Sequence, residues 1–305
     1  MNPGRERLAL LAAMATGIQV GAALVATRFI AQDIGPASLA LLRYAIAVLC
    51  LLPFVVGVAL RGQGVAILRR DVGIVMALGV VQFGLLIALL NVGLKYMPAT
   101  RAGLLFTTFP LLTMLFAAAL GREKLTAAKT AGVLLSIAGV AVTLGEGLLV
   151  ETVETEWLGA ACVLGAACCG AVCSVLYRPY LGRNPTLSVG TLAMFAAVLF
   201  LAILSLPEGL YAAPPALSPA GWAAVAFIGL SSGAGFLLWL WALKQTTPTR
   251  VTVFLALSPI TAALLGVLLL GEALTPGTLV GLVAVIGGLW VATREKAHRI
   301  CPPSP

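Results

Sequence analysis

The sequence predicts an all-α integral membrane protein: ten transmembrane helices as two inverted five-helix repeats. Three observations predict it: an apolar composition, continuous runs of spanning length, and an internal duplication. Hydrophobic residues make up 61% of the 305-residue chain and charged residues 10%, with mean hydropathy +1.07. A soluble domain carries about 25% charged residues, so this apolar excess has to face lipid. In lipid each backbone amide must be satisfied internally, which leaves helices or closed barrels. Barrel strands would alternate apolar and polar residues over about 10 positions. Here the runs are continuous over roughly 20 residues, the length that crosses a bilayer core.

The duplication begins at residue 95 and again at residue 244, an offset of 149. Residues 95–126 read KYMPATRAGLLFTTFPLLTMLFAAALGREKLT, and 244–275 read KQTTPTRVTVFLALSPITAALLGVLLLGEALT. Lys95/Lys244, Thr100/Thr249, Arg101/Arg250, Pro110/Pro259, Glu123/Glu272 and Thr126/Thr275 coincide, and the register extends to Gly21/Gly170, Pro36/Pro185, Gly132/Gly281 and Gly139/Gly288. A duplicated membrane domain without catalytic machinery points to a transporter. Five runs per copy is an odd number. The second copy therefore enters the membrane upside down, related to the first by a pseudo-twofold axis in the membrane plane.

The runs fall at 8–27, 36–60, 72–94, 98–120, 127–145, 157–177, 186–206, 219–243, 248–270 and 276–293. Ser218-Pro219 and Thr275-Pro276 each place a capping hydroxyl before a proline at the first helical position. Thr126 and Thr186 are expected to cap the fifth and seventh helices. The first run follows Arg5 and Arg7 and has the look of a signal peptide. Its repeat partner is the sixth helix, deep in the chain, so it is read as a span. The expected organisation is a first repeat over 8–145, an extracytoplasmic linker at 146–156, a second repeat over 157–293 and a cytoplasmic tail at 294–305.

Charge predicts the orientation. Of the 19 Lys and Arg, fifteen lie on the side that holds the N-terminus. Arg28, Lys95 and Arg101 lie opposite, and Arg43 lies inside the second run. The positive-inside rule puts both termini in the cytoplasm of a multi-pass inner-membrane protein. The linker EGLLVETVETE has four Glu and no Lys or Arg, as an outside loop should. The net charge of +8 is then a topology signal. A nucleic-acid footprint would need a basic face on a soluble domain, so no nucleic-acid partner is expected.

These features resemble the drug/metabolite transporter superfamily, and within it the EamA-type ten-helix transporters. The matching elements are the arginine early in the second helix (LALLRYA, Arg43) and the proline-centred fourth and ninth helices closing in Glu-x-Leu-Thr. These are Pro110 with Glu123, Leu125 and Thr126, and Pro259 with Glu272, Leu274 and Thr275. The resemblance covers about residues 8–293 and implies export of amino acids and other small metabolites, with amino-acid exporters as the nearest relatives.

Mid-membrane polar side chains are the candidates for substrate contact, because the bilayer centre selects against them unless they pair or line a cavity. They are Thr16, Gln19, Tyr44, Gln82, Thr107, Thr108, Ser231, Ser232, Trp239, Ser258 and Thr261. Ser and Thr have a plainer reading, since their hydroxyls can bond their own helix backbone. A large amide such as Gln19 or Gln82 is harder to hide. Arg43 has two readings: snorkelling to the outer surface, or pairing with a substrate carboxylate or with Glu272. Pro110 and Pro259 remove mid-helix backbone hydrogen bonds and are either hinges or fixed kinks. Glu123 and Glu272, each three residues before a Thr, are expected to be structural.

Other functions are excluded or set second. Cys50, Cys162, Cys168, Cys169 and Cys173 lie in spans without His or acid beside them and read as small buried hydrophobes; Cys301 and His298 sit in the tail. No metal site or cofactor is expected. The spans lack the clustered His, Asp, Glu or Lys that a membrane enzyme would need, and no GxxxxGK[ST] motif supports ATP-driven transport. The alternative within transport is a proton-coupled multidrug exporter of cationic compounds. A carboxylate in the first helix serves that role in the small multidrug transporters of the same superfamily; this first helix offers only Thr16 and Gln19. Because one chain carries both halves, a functional monomer is expected, with a small-molecule substrate and the bilayer as its partners.

Overall fold

The structure is a computed structural model that describes residues 3–61, 66–122, 126–149, 156–213, 215–246, 251 and 253–293. The described residues are helical nearly throughout, and no strand occurs among them. The first repeat contains α1 (Pro3–Ile30), α2 (Pro36–Leu60), α3 (Arg69–Tyr96), α4 (Ala99–Ala119) and α5 (Ala127–Leu149). The second contains α6 (Glu156–Arg183), α7 (Thr186–Leu204), α8 (Pro219–Gln245), α9 (a 3₁₀ turn Val253–Ala256 running into Leu257–Leu270) and α10 (Pro276–Thr293). Seven of these, α1 to α4 and α6 to α8, are long and apolar enough to cross a bilayer. Thr130–Gly139, Leu257–Leu270 and Pro276–Gly288 are shorter apolar stretches.

Local signals explain two of the helix starts. Ser218 Oγ accepts the amide of Gly221 at 3.1 Å, and Thr275 Oγ1 accepts that of Thr278 at 3.3 Å, each satisfying an orphan donor of the first turn. Thr186 departs from expectation. Pro185 holds the cap position, Thr186 is the first helical residue, and no side chain caps α7. Proline fixes its own φ there, so the turn starts without a hydroxyl. Between the repeats, α5 runs to Leu149 and α6 starts at Glu156, so helix extends into both ends of the expected 146–156 linker. Glu123 and the tail with His298 and Cys301 lie outside the described residues.

Two irregularities matter for the site. In α3, residues Val80–Leu85 form a π-helical turn that carries Gln82 and Phe83. Such turns occur mostly as single insertions within α-helices, frequently at functional sites. α4 breaks at Thr107, so Pro110 is the third residue of the following segment Thr108–Ala119. Pro259 is likewise the third residue of Leu257–Leu270, after the 3₁₀ turn. Both prolines thus stand in the first turn of a new segment, where a missing N–H costs least.

The helices pack in matched pairs. α1 lies along α8 and α9, while α6 lies along α3 and α4; α2 packs on α8, and α7 on α3. Two further pairs join a helix to its own repeat counterpart: α2 with α7, and α5 with α10. Glycines permit the closest approaches. Gly17 and Gly21 of α1 face the backbone carbonyls of Phe254 and Ser258 in α9, and Gly229 faces Ile46, as small-residue packing requires. The outer surface is apolar: Leu49, Phe54, Leu60, Ile203, Leu268 and Val283 are all exposed, the pattern of a lipid-facing bundle.

Candidate substrate cavity

A partly open central cavity of about 90 Å³ lies within the bundle. A buried water needs roughly 10–15 Å³ on such a measure, so a small molecule could replace several waters there. α1 contributes Thr16, Gln19 and Thr27. α2 contributes Arg43 and Tyr44; the π-turn of α3 contributes Gln82 and Phe83. Phe106 and Phe109 come from the break in α4, Ser232, Phe236 and Trp239 from α8, and Leu255 from α9.

Polar groups are held at fixed places on this wall. Thr16 Oγ1 bonds the carbonyl of Ala12 at 2.9 Å and reaches that of Gly235 at 3.3 Å. Gln19 Nε2 donates to Ser231 Oγ at 3.2 Å, so α1 is stitched to α8 twice. Arg43 is 8% exposed and does not snorkel. Its Nε donates to Ser232 Oγ at 2.6 Å, and Ser232 in turn donates to the carbonyl of Ile228. The Gln82 Oε1 is buried with no protein partner among the described residues. No Asp or Glu lines the cavity among the described residues.

Aromatic rings share the rest of the wall with aliphatic side chains such as Leu24, Leu86 and Leu255, and the rings pack in two series. Tyr44 meets Phe83 at 5.0 Å between centroids, and Phe83 meets Phe236 at 4.2 Å. Phe109 joins Trp239 at 6.1 Å and Phe106 at 5.5 Å. All but the tilted Phe106–Phe109 pair are edge-to-face; such pairs add stability beyond burial and keep the rings in place around the polar groups.

Of the residues singled out in the sequence, the cavity gathers Thr16, Gln19, Arg43, Tyr44, Gln82, Ser232 and Trp239. Ser231 stands behind them, bonded to Gln19. Thr107, Thr108 and Thr261 do not line it. Their hydroxyls bond the carbonyls of Leu104, Leu105 and Leu257 in their own helices. In α4 the two threonine hydroxyls thereby supply donors at the break beside Pro110. Ser258 is fully buried against Gly21, its hydroxyl unpartnered, and is also off the cavity wall.

The Arg43–Glu272 pairing, one of the readings open for Arg43, does not form. Glu272 lies at the α9–α10 turn, just after Gly271 with φ 65°, a left-handed conformation that favours glycine. Its carboxylate accepts the amides of Ala99 and Thr100 at 2.8 and 3.0 Å and the Thr100 hydroxyl at 2.7 Å. It therefore closes the N-terminus of α4, where backbone donors are free and the helix dipole favours an anion. Beside it is a second cavity, near the expected outer face, which contains the Arg101–Glu156 ion pair at 2.5 Å. The charges there pair with each other, whereas Arg43 in the centre makes no ion pair among the described residues.

Three polar ties escaped the sequence reading. Glu208 accepts the amides of Ala37 and Ser38 at the start of α2. Asn91 donates to the carbonyl of Pro36. Asp71, 1% exposed, receives a bidentate contact from Arg183 at 2.7 and 2.8 Å and a bond from Asn184 at 2.7 Å. The charge on Arg183 is visible in the sequence, but nothing there pairs it with Asp71.

A multi-pass helical bundle around a small central cavity, with no catalytic cluster among its described residues, is the architecture of a membrane carrier. The EamA-like transporter family model matches the chain twice, over residues 7–145 and 157–294. The chain belongs to that family and is a transporter, not an enzyme. It is 30% identical over 233 residues to "Probable terminal-alkyne amino-acid exporter" of Streptantibioticus cattleyicolor, covering 75% of this chain and 76% of the relative. It is 32% identical over 209 residues to "Aromatic amino acid exporter YddG" of Ancylobacter novellus, covering 66% and 69%. An uncharacterized transporter of Archaeoglobus fulgidus is 26% identical over 90% of this chain and 95% of that protein. A solved crystal structure superposes with a TM-score of 0.70 at 25% identity, covering 93% of this chain and 95% of the other.

Proposed function

We propose that this chain is a secondary exporter of small metabolites, amino acids in particular, working by alternating access through the cavity between its two repeats. The observation that carries this reading is the cavity wall. The Arg43 guanidinium, bonded through Nε to Ser232, and Gln82 Oε1, unpartnered among the described residues, face an aromatic cluster of Tyr44, Phe83, Phe109, Phe236 and Trp239. Such a wall suits a molecule with a polar head and an apolar side chain. The two relatives named as amino-acid exporters support the same substrate class.

In this reading all ten helices span the inner membrane, both termini are cytoplasmic, and the repeats are inverted. The matched packing of α1 on α8 with α6 on α3 supports the inversion. Exchange of conformation between two inverted halves turns an outward cavity inward. The breaks before Pro110 and Pro259 are the hinges, since each already interrupts its helix next to the cavity. A single chain supplies both halves, so the monomer transports. A cationic-drug exporter is disfavoured by the same wall, which presents a cation and no acid.

The test is export from living cells. Cells making the protein are fed a phenylalanine-containing dipeptide, and free phenylalanine is measured outside. Overproduction should speed its release severalfold. Release equal to that of cells without the protein would defeat the amino-acid assignment.

A further inference from the structure

We infer that Arg43 is the carboxylate anchor of the cavity, and that its ligands extend to aryl monocarboxylates that have no amino group. This rests on the reading of the central cavity as the transport site and names the ligand group that the site requires. Three observations carry it. First, Arg43 is 8% exposed and lines the cavity. Its Nε donates to Ser232 Oγ and its guanidinium carbon lies 5.7 Å from the Tyr44 ring centroid, while Nη1 and Nη2 have no hydrogen-bond partner among the described residues. Second, among the described residues Arg43 makes no ion pair, and the cavity wall has no acid. A buried cation without a counter-charge is unfavourable inside a membrane, and a guanidinium edge matches a carboxylate in bidentate geometry.

Third, the groups available to an ammonium are neutral. Gln82 Oε1 is a buried acceptor with no partner and can take one N–H of an ammonium. That contact is a hydrogen bond without a balancing charge. The ligand carboxylate therefore meets the fixed charge, while the amino group adds a secondary bond. The ring of the ligand lies among Phe83, Phe109, Phe236 and Trp239, on a wall completed by aliphatic side chains such as Leu24, Leu86 and Leu255. An amine that lacks the carboxylate would bring a second cation beside Arg43.

Isothermal titration calorimetry of the purified full-length protein in detergent tests this with three ligands on one phenylethyl skeleton. Phenylalanine and 3-phenylpropionate should both bind, and phenethylamine should bind at least tenfold more weakly. Arg43→Gln should lose tenfold or more in affinity for both carboxylates, and Arg43→Lys should recover part of it. The ligand comparison in the unmutated protein does not depend on how well the variants fold. Phenethylamine binding as tightly as 3-phenylpropionate would overturn the inference. So would failure of 3-phenylpropionate to bind, or full retention of both carboxylates by Arg43→Gln. Dipeptide-fed cells that export phenylalanine while the protein ignores 3-phenylpropionate would sink the anchor alone. Arg43-dependent binding without export would sink the transport reading alone.

Discussion

The hydroxyl of Ser136 donates to the carbonyl of Val285 at 3.4 Å, and the two residues stand 149 positions apart. They are therefore repeat counterparts in contact. In the inverted arrangement proposed above, residues beside the twofold axis meet their own counterparts, so this bond supports an axis passing between α5 and α10. The neighbouring glycines repeat the relation. Gly139 faces the carbonyl of Gly281, and Gly288 faces that of Gly132. Each contact maps onto the other by the same offset.

Substitution at this axis should destabilise both repeats alike. A Cβ at Gly139 would sit 2.8 Å from the Gly281 oxygen, and one at Gly288 would press on the Gly132 oxygen and Ser136. Gly139→Leu and Gly288→Leu should each cost about 1–3 kcal/mol, the usual penalty of overpacking. Gly57→Ala, which meets nothing within 4 Å, should be nearly neutral. Thermal unfolding in detergent checks all three.

Glu272 should be a structural clamp that is independent of Arg43. Glu272→Ala strips three donors of Ala99 and Thr100 of their acceptor. Leaving such donors unsatisfied costs about 1–3 kcal/mol. The Arg43→Gln and Glu272→Gln changes should combine additively to within about 0.5 kcal/mol, as separate sites do. A larger coupling in thermal unfolding of the double variant would mean that the two side chains interact.

Flux should depend on the cavity amides and little on protons. Gln19→Ala removes the tie to Ser231, and Gln82→Ala removes the free acceptor on the π-turn. Each should lower amino-acid flux severalfold while the protein remains folded in the membrane. No carboxylate lines the cavity among the described residues, so an imposed pH gradient should not concentrate substrate. Unchanged flux in both variants would misplace the site, and strict proton dependence would refute facilitated export.

The positive-inside count makes a separate prediction. A reporter fused after Pro305 should behave as cytoplasmic, and one inserted at 150–155 should face outward. Periplasmic activity of the first fusion would overturn the ten-span topology.

Much of this molecule is legible in its sequence, for physical reasons. Helices longer than the bilayer is thick announce themselves by composition, and the duplication is a direct match of letters. Arg43, Gln19 and Gln82 stand out because lipid tolerates such groups only where something faces them. Phe83, Phe106, Phe109 and Phe236 do not stand out, since a ring lining a cavity and a ring facing lipid have the same sequence signature. The hydroxyls of Thr107, Thr108 and Thr261 were indistinguishable from cavity hydroxyls, because bonding to a helix's own backbone leaves no trace in spacing. The π-turn at Val80–Leu85 also has no sequence mark. It re-aims Gln82 and Phe83 by one inserted residue, which only coordinates reveal.

The most direct test of the central claim uses purified protein in liposomes, loaded with a panel of labelled amino acids and, separately, with cationic dyes. The account predicts that amino acids with large apolar side chains leave down their gradient, in a manner lost with Arg43→Gln, and that the dyes stay. Dye efflux driven by a pH gradient, with no movement of amino acids, would contradict it.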